Sequence, residues 1–214
     1  NYPLTLTTAA INSAAVTGFA RWKLSEAFSL HGGLRQVEAG GNVAIWEGGN
    51  PAYVASLAPD SDLGWMAGVA YEMPEIALRV ALTYFSPTTH VLPTTVSAPF
   101  PYSDVTTVEV AEAVNLDFQT GIATDTLVFG QIRWVDWKAT DISPAFYPKL
   151  VAYRHDYYTL SAGVGHRFSD SWAGAITVGY ENDDGAIASN LAPHDGMLSL
   201  GLGATYTAGP AEVT

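Results

Sequence analysis

The sequence predicts an antiparallel transmembrane β-barrel, and three observations support this prediction. The chain is 48% hydrophobic but only 14% charged, whereas globular domains carry about 25% charged residues. No stretch approaches the roughly 20 consecutive apolar residues that a membrane helix requires. Apolar and small polar residues instead alternate along segments of about 10 residues or more, which is the length that a tilted strand needs to cross a bilayer.

About nine such segments follow one another along the chain. In the last of them, within 195–207, Leu198 and Leu200 share one parity while Ser199 and Gly201 share the other. Successive side chains point to opposite faces of a strand, so this segment has one apolar face and one small, polar face. The other predicted strands lie, in chain order, within 14–24, 28–35, 63–73, 76–85, 106–120, 126–138, 158–168 and 172–181.

The connections between these segments are short and long in turn. Tight turns are predicted at 25–26, 74–75, 123–125 and 169–171, and long connections at 39–62, 87–105, 139–153 and 183–194. This alternation is typical of outer-membrane barrels and not of soluble sandwiches, whose loop lengths follow no such rule. We therefore expect Pro74 and Ser169 at the periplasmic rim and Trp46 at the opposite, outer side. Aromatic residues near the strand ends match the girdles of a membrane barrel.

The basic side chains of the predicted strands sort to one parity. Arg21, Arg35, Arg79, Arg133 and Arg167, together with His31, fall opposite the apolar parity. Because an arginine that faces lipid at mid-depth costs about 2–4 kcal/mol, these residues are expected to line the barrel interior. The predicted acidic partners are Glu72, Glu109, Asp117 and Glu181. The same parity predicts that Leu78, Val164, Ile176 and Leu200 face lipid, whereas Arg79, Arg167 and Gly201 face inward.

Four stretches resemble the FadL/TodX family of outer-membrane transporters for long-chain fatty acids and other hydrophobic compounds. They are GFARWKLSEAFSLHGGLRQVEA (18–39), GWMAGVAYEMPEIALRVALTYFSP (64–87), VNLDFQTGIATDTLVFGQIRWVDW (114–137) and DYYTLSAGVGHRFSDSWAGAITVGYENDD (156–184). The resemblance implies a fourteen-stranded barrel with a small N-terminal hatch. It also implies capture of substrate among the outer loops, an interior pocket, and sideways exit through a gap in the wall. Residues 1–214 are then a single barrel domain, expected to be an internal fragment without the hatch and the last strands.

Two groups of residues are candidates for substrate binding. The predicted interior site comprises Phe19, Arg21, His31, Arg35, Met66, Arg79, Phe85, Phe129, Arg133 and Arg167. Guanidinium groups suit a fatty-acid carboxylate, although the same arginines equally suit the wall of a wet interior. The predicted capture loops contribute Ile45, Trp46, Tyr53, Leu57, Leu92, Phe100 and Tyr102, because exposed apolar loop residues mark binding surfaces. The alternative is that these loop residues pack on each other as a lid.

Composition excludes several other functions. The net charge of −12 argues against nucleic-acid binding, and the absence of cysteine excludes thiolate metal sites. His31 and His166 have no serine and carboxylate at a spacing that would support an enzyme, so no catalysis, metal or cofactor is expected. The sequence predicts a multi-pass protein of the bacterial outer membrane, in contact with lipid and lipopolysaccharide, that takes up fatty acids or aromatic hydrocarbons. A polar-solute porin and a barrel adhesin or structural protein are the alternatives.

Overall fold

The chain forms one antiparallel sheet in a computed structural model that describes residues 7–183, 185, 196–208 and 211–213, with side chains at all of these except 152 and 211–213. Among these residues, no helix has the length and the apolar content to cross a membrane. Single-turn 3-10 helices span Pro74–Ile76 and Trp137–Ala139. The strands are β1 (Thr8–Lys23), β2 (Phe28–Glu47), β3 (Asn50–Met73), β4 (Leu78–Phe85), β5 (Thr88–Ala98), β6 (Tyr102–Val110), β7 (Ala113–Ala123), β8 (Thr126–Val135), β9 (Asp141–Pro144), β10 (Val151–Ala152), β11 (Tyr157–Arg167), β12 (Trp172–Glu181), β13 (Met197–Ala208) and β14 (Ala211–Val213).

Nine of these strands form the barrel wall and correspond to the nine predicted segments. They pair in the order β1-β2-β3-β4-β7-β8-β11-β12-β13, and each pair is antiparallel. One segment was predicted incorrectly: the strand expected within 106–120 is two strands, β6 and β7, separated at residues 111–112. The break lets β6 leave the wall while β7 pairs with β4 and β8.

The four predicted tight turns lie together at one end of the wall, here called the turn end. Hydrogen bonds and packing link neighbouring turns: Glu72 N donates to Ala27 O, Arg167 N donates to Asp125 O, and Thr207 N donates to Ser171 O. Trp46 lies at the other end, here called the loop end, because it is close to the far terminus of the 20-residue strand β2. The predicted separation of Pro74 and Ser169 from Trp46 is confirmed.

The wall is curved, and its polar face is the concave one. Side chains from strands that are not neighbours meet on this face: Arg21 of β1 reaches Glu72 of β3, and His31 of β2 reaches Thr83 of β4. The opposite, convex face is apolar and exposed, as at Val164 (41% exposed), Ile176 (49%) and Leu200 (68%). The predicted parity is confirmed, because Arg79 pairs in register with Glu72, and Gly201 with Thr177, on the concave side.

Aromatic residues border the apolar band at both ends. Trp172 packs on Tyr206 with ring centroids 4.8 Å apart near the turn end, and Trp65 packs on Tyr84 at 5.0 Å toward the loop end. Tyr158 and Phe168 mark the two ends of β11, about ten residues apart. At about 3.4 Å per residue and a tilt of about 40°, this separation spans roughly 25 Å, the height of the apolar band of a transmembrane barrel.

The long connections are more regular than predicted. Residues 39–62 and 87–105 were expected to be loops, but β2 and β3 extend past the wall to a turn at Gly48 and Gly49, and β5 and β6 form a second hairpin. β5 pairs with residues 54–57 of β3, so the sheet continues beyond the wall through β6, β9 and β10. The connection predicted at 183–194 lies mostly outside the described residues.

These extensions enclose an apolar cluster, here called the loop-end core. β5 alternates with a period of two, placing Leu92 and Val96 in this core with His90 buried beside them. The members of the loop-end core are Val43, Tyr53, Ala55, Leu57, Leu92, Val96, Val108, Ile142, Leu150 and Val151. The connection between β8 and β11 supplies Ile142, Leu150 and Val151, so it folds back onto the concave side of the extended sheet.

We expect Ile176→Arg to impair membrane insertion or to lower the free energy of unfolding by about 2–4 kcal/mol. Ile176 lies on the convex face midway between the aromatic residues Trp172 and Tyr180 of β12, at the depth where a charge is most costly. The measurement is urea unfolding of the full-length protein refolded into lipid vesicles. Thr177→Arg is the matched control, because its side chain enters the wet interior and should be tolerated. Equal losses at both positions would contradict a membrane wall.

Candidate functional site

A cavity of about 520 Å³ lies on the concave face near the turn end. Seven of the eleven residues that line this turn-end cavity are polar or charged, although apolar atoms supply most of its surface. Glu72 lies beside it and joins two of its arginines: Arg21 Nη2 lies 2.6 Å from Glu72 Oε2, and Arg79 Nε lies 3.4 Å from Glu72 Oε1. The lining residues are Thr17, Phe19, Arg21, His31, Met66, Arg79, Ala81, Thr83, Asp117, Phe118 and Gln119.

Glycine on the central strand makes one of these long contacts possible. His31 crosses over Gly68 of β3, and its Nε2 lies 2.9 Å from Thr83 Oγ1 on β4. A Cβ atom at position 68 would overlap both the His31 ring and the backbone oxygen of Leu82. The absence of a side chain at Gly68 therefore sets the position of the imidazole in the turn-end cavity.

Two further arginines lie closer to the loop end. The Arg35 guanidinium carbon stands 5.0 Å from the centre of the Phe85 ring, a cation–π contact that again spans β3. Arg133 Nη1 donates a hydrogen bond of 2.8 Å to Asn115 Oδ1. Arg35 and Arg133 are close enough to interact electrostatically, so two positive charges lie near each other on the concave face.

A second cavity, of about 430 Å³, lies beyond these arginines. This loop-end cavity is mostly apolar, and it is bounded by β1 and β2 on one side and by β6, β8 and the β8–β11 connection on the other. The lining residues are Ala9, Ile11, Ser13, Ala39, Val43, Val108, Glu109, Val110, Ala111, Arg133, Val135, Trp137, Thr140, Ile142, Leu150, Val151 and Tyr153.

Burial controls the ionisation of the tyrosines around the loop-end cavity. Burial raises the pKa of Tyr153, and the negative charge of Glu181 raises it further. In the loop-end core, burial and then the charge of Asp104 raise the pKa of Tyr53 to about 12. A phenol is neutral at physiological pH even at its ordinary pKa, and the raised pKa values keep both side chains uncharged over a still wider range of pH.

The structure brings together half of the predicted interior site. Phe19, Arg21, His31, Met66 and Arg79 all line the turn-end cavity, although Phe19 is 69% exposed because β1 is an edge strand of the described sheet. Arg35, Phe85 and Arg133 lie between the two cavities or at the loop-end one. Phe129 packs over Gly163 elsewhere on the concave face. Arg167 lies apart at the turn end, in an ion pair with Asp125.

The predicted capture residues do not form exposed loops. Tyr53, Leu57 and Leu92 are buried in the loop-end core, so the alternative of a packed lid is correct for them. Trp46, expected on a loop, lies on β2. Ile45 and Tyr102 are half-buried against the core. Phe100 is 75% exposed, and among the predicted capture residues it is the one that fully presents an apolar surface to solvent.

The loop-end cavity contains residues that the sequence did not identify. Ile142, Leu150 and Tyr153 come from the connection that was predicted only as a long loop. Trp137 was expected within the strand predicted at 126–138, but β8 ends at Val135 and Trp137 begins a 3-10 helix. The concentration of apolar and aromatic residues in 137–153 was the signal available in the sequence, since a solvated loop has no need of it. Their meeting with β1 and β2 depends on the curvature of the sheet, which no local pattern encodes.

Between the stretch of β3 that pairs with β5 and the stretch that pairs with β4, side chains supply most of the hydrogen bonds across the wall. This interval is here called the seam. β3 pairs with β5 at 54–57 and with β4 at 66–73, and between these stretches the backbone contributes a hydrogen bond from Ser86 N to Trp65 O at 2.9 Å but no continuous ladder. Carboxylates close the interval: Asp60 Oδ2 accepts from Val91 N at 2.8 Å, and Asp62 Oδ2 accepts from Thr89 N at 2.8 Å. Hydrogen bonds from the Thr89 and Leu63 backbone hold the pKa of Asp62 below its usual value.

Solved structures with this fold are known. A Pseudomonas aeruginosa FadL homologue superimposes with a TM-score of 0.76 at 15% identity, covering 92% of this chain and 56% of its own. The Ralstonia pickettii toluene transporter TbuX superimposes with a TM-score of 0.71 at 12% identity, and the match covers 95% of this chain and 60% of the transporter. The CymD monoaromatic hydrocarbon channel superimposes with a TM-score of 0.64 at 14% identity, and the match covers 95% of this chain and 69% of the channel. The predicted resemblance to FadL and TodX barrels is thus confirmed at the level of the fold.

The comparison has two further results. The chain spans little more than half the length of the FadL homologue and 60% of the length of the toluene transporter. No protein-family model matches the sequence, and no curated protein matches it either.

We expect Gly68→Ala to lower the free energy of unfolding by about 1–3 kcal/mol, because the added methyl group must displace His31 or the β4 backbone. The measurement is the urea midpoint of the refolded full-length protein. Gly203→Ala is the matched control: it also adds a methyl group on the concave face, but nothing lies within 4 Å of its Cβ position. An equal shift of the midpoint for both variants would show that replacing any glycine on the concave face has this effect, and that the contact between His31 and Gly68 is not its cause.

Proposed function

We propose that the chain belongs to the FadL/TodX family and takes up hydrophobic small molecules passively across the bacterial outer membrane. The observation that supports this most directly is the loop-end cavity, whose lining residues are mostly apolar and which lies on the concave face of a wall whose convex face is apolar. A pocket of this kind lowers the free energy of a hydrophobic solute by about 25 cal/mol per Å² of apolar surface buried. The printed descriptions of two structural neighbours, a toluene transporter and a monoaromatic hydrocarbon channel, agree with such a cargo.

Entry is proposed from the loop end. Phe100 and Phe146 are 75% and 77% exposed there, and Phe146 makes an edge contact with Tyr102 at 6.5 Å between ring centroids. These side chains offer a first apolar contact to a solute arriving from outside. The loop-end core beneath them is rigid support and does not itself take part in capture.

The finer proposal is that the site also accepts long-chain fatty acids. Arg35 has Phe85 and not a carboxylate as its described contact, and it lies near a second guanidinium, that of Arg133. A bound carboxylate at Arg35 would reduce the repulsion between the two arginines and gain a charge-assisted hydrogen bond. The acyl chain would then extend into the apolar loop-end cavity.

The seam is the candidate for the sideways exit that the family resemblance implies. It is closed by the side chains of Asp60 and Asp62 and by the backbone bond from Ser86 N to Trp65 O, so separating it breaks fewer backbone-to-backbone hydrogen bonds than separating fully paired strands. Gly64 of the seam pairs in register with Arg35, which places the seam beside the proposed head-group site. Lipid and lipopolysaccharide would surround the convex band outside it.

A polar-solute porin is the second candidate, and the charged turn-end cavity favours it. Asp117, Arg21 and Arg79 line that space, as in the charged constrictions of water-filled channels. The porin hypothesis requires a solute to pass both cavities, whereas the hydrophobic-uptake hypothesis requires only the loop-end one.

We expect Ala111→Trp to reduce uptake of labelled toluene several-fold, because the indole occupies the loop-end cavity at the break between β6 and β7. The measurement is uptake by cells that express the full-length protein, normalised to its amount in the outer membrane. Ala204→Trp is the control, since that side chain lies on the convex face toward lipid. Unchanged toluene uptake together with free passage of small sugars would favour the porin.

We expect Arg35→Ala to weaken hexadecanoate binding about 10- to 100-fold, the loss of one hydrogen bond to a charged group, with little effect on toluene. The measurement is equilibrium binding to the full-length protein in lipid nanodiscs. Arg167→Ala serves as the control, because this arginine is at the turn end in an ion pair with Asp125. Equal losses for hexadecanoate and toluene would show that Arg35 supports the structure and does not bind the head group.

A further inference from the structure

A third cavity lies on the convex face of the wall, where it forms an open groove of about 270 Å³, here called the convex groove. Its floor is at Ala162 of β11, which pairs in register with Gly130 of β8. At the next pair on this face, the same two strands place the larger side chains of Ile132 and Leu160. The convex surface is therefore indented at Ala162.

A phenylalanine from the neighbouring strand closes one end of the convex groove. Phe118 of β7 pairs in register with Gly130, and its ring lies over this glycine. The Phe118 Cζ atom is 2.7 Å from the position that a Cβ atom at residue 130 would occupy, so only glycine leaves space for the ring. Leu198 of β13 lines the other end. Since β7 and β13 are four strand spacings of about 4.8 Å apart, the groove is about 19 Å long.

The lining of the convex groove is mostly apolar and belongs to the lipid-facing band. Leu160 and Val178 line it, and they are 38% and 51% exposed on the same face as Ile176 and Leu200. The groove is therefore continuous with the surface that contacts lipid, and a lipid chain reaches it without crossing water. The hydrocarbon part of a membrane lipid is the occupant that this environment supplies.

The position of the convex groove along the strands identifies the leaflet. Ala162 lies four residues from Tyr158, near the loop end of β11, and six residues from Phe168, just past the turn end. The groove thus lies in the loop-end half of the apolar band. With the long connections outside, as in outer-membrane barrels, this half meets the outer leaflet, whose lipid is lipopolysaccharide.

We infer that the convex groove binds one saturated acyl chain of lipopolysaccharide. The inference goes beyond the proposed uptake, because it concerns the outer surface of the wall and not the cargo. Lipid tails are as apolar as leucine, so no hydrophobic effect favours this contact. Van der Waals contacts do favour it, since a chain in a groove touches protein at its flanks as well as its base. A straight chain fits along the groove, whereas a chain bent by a cis double bond does not.

The test measures equilibrium binding of fluorescently labelled lipid A, the acylated part of lipopolysaccharide, to the full-length protein in detergent micelles. Magnesium is present, because Glu112 and Asp136 at the loop ends of β7 and β8 would otherwise repel the lipid A phosphates. Ala162→Phe fills the groove and should weaken binding about 5- to 30-fold, the loss of about ten van der Waals contacts. Ala204→Phe is the matched control: it adds the same ring to the convex face in the turn-end half and should bind as the wild type does.

Three results would overturn the inference. They are equal lipid A affinity of the wild type and Ala162→Phe, an equal loss for Ala204→Phe, and displacement by dioleoylphosphatidylethanolamine as effective as displacement by unlabelled lipid A. Ala162→Leu fills less of the groove and should give a smaller loss, so the test stands if the phenylalanine variant does not fold. Toluene uptake should be unchanged in every variant. A wild-type protein that binds lipid A in this way but takes up no toluene contradicts the proposed function and leaves the convex groove supported.

Discussion

The alternation of side chains between the two faces of each wall strand is the constraint on which the rest of the structure depends. In lipid, every backbone group must be paired, and charged side chains must lie on the face that does not contact lipid. A slip of the register by one residue would move every side chain of a strand to the opposite face, so that Thr177 would face lipid in place of Ile176. The pairing of β11, β12 and β13 preserves this parity from one strand to the next. The apolar convex band and the polar concave face are therefore two results of one register.

Curvature then brings together side chains that a flat sheet would keep apart. Arg21 and Glu72, two strands apart, form an ion pair on the concave face, and Gly68 leaves the space through which His31 reaches Thr83. Such partly solvated pairs contribute little to stability. Their effect is to compensate charges that the wall's register places on the concave face, and in doing so they hold charged groups at the turn-end cavity.

Periodicity was sufficient to predict the wall but not the loop end. Apart from the break between β6 and β7, the wall strands and the inward parity of the arginines follow from the alternation of apolar and polar residues, which is a local property of the sequence. The tight turns follow from the short spacing between the alternating segments. The same period runs through β5 at His90, Leu92 and Val96, but prolines at 93 and 99 obscured it. The loop-end cavity depends on contacts between β1, β6 and residues 137–153, which only the three-dimensional path of the chain brings together.

The two cavities differ in the number of charged residues that line them, and under the proposed function this difference bears on the route of a hydrophobic solute. The loop-end cavity replaces water by apolar side chains, which favours such a solute by roughly the area it buries. The next space along the barrel axis is bordered by Arg21, Glu72 and Arg79, groups whose hydration an apolar solute would displace without forming hydrogen bonds in return. A solute that continued along the axis would therefore lose the free energy it had gained, whereas the seam beside Gly64 leads from the apolar space toward the apolar convex face. If the chain takes up hydrocarbons as proposed, this order of the cavities favours a sideways route for them and an axial route for polar solutes.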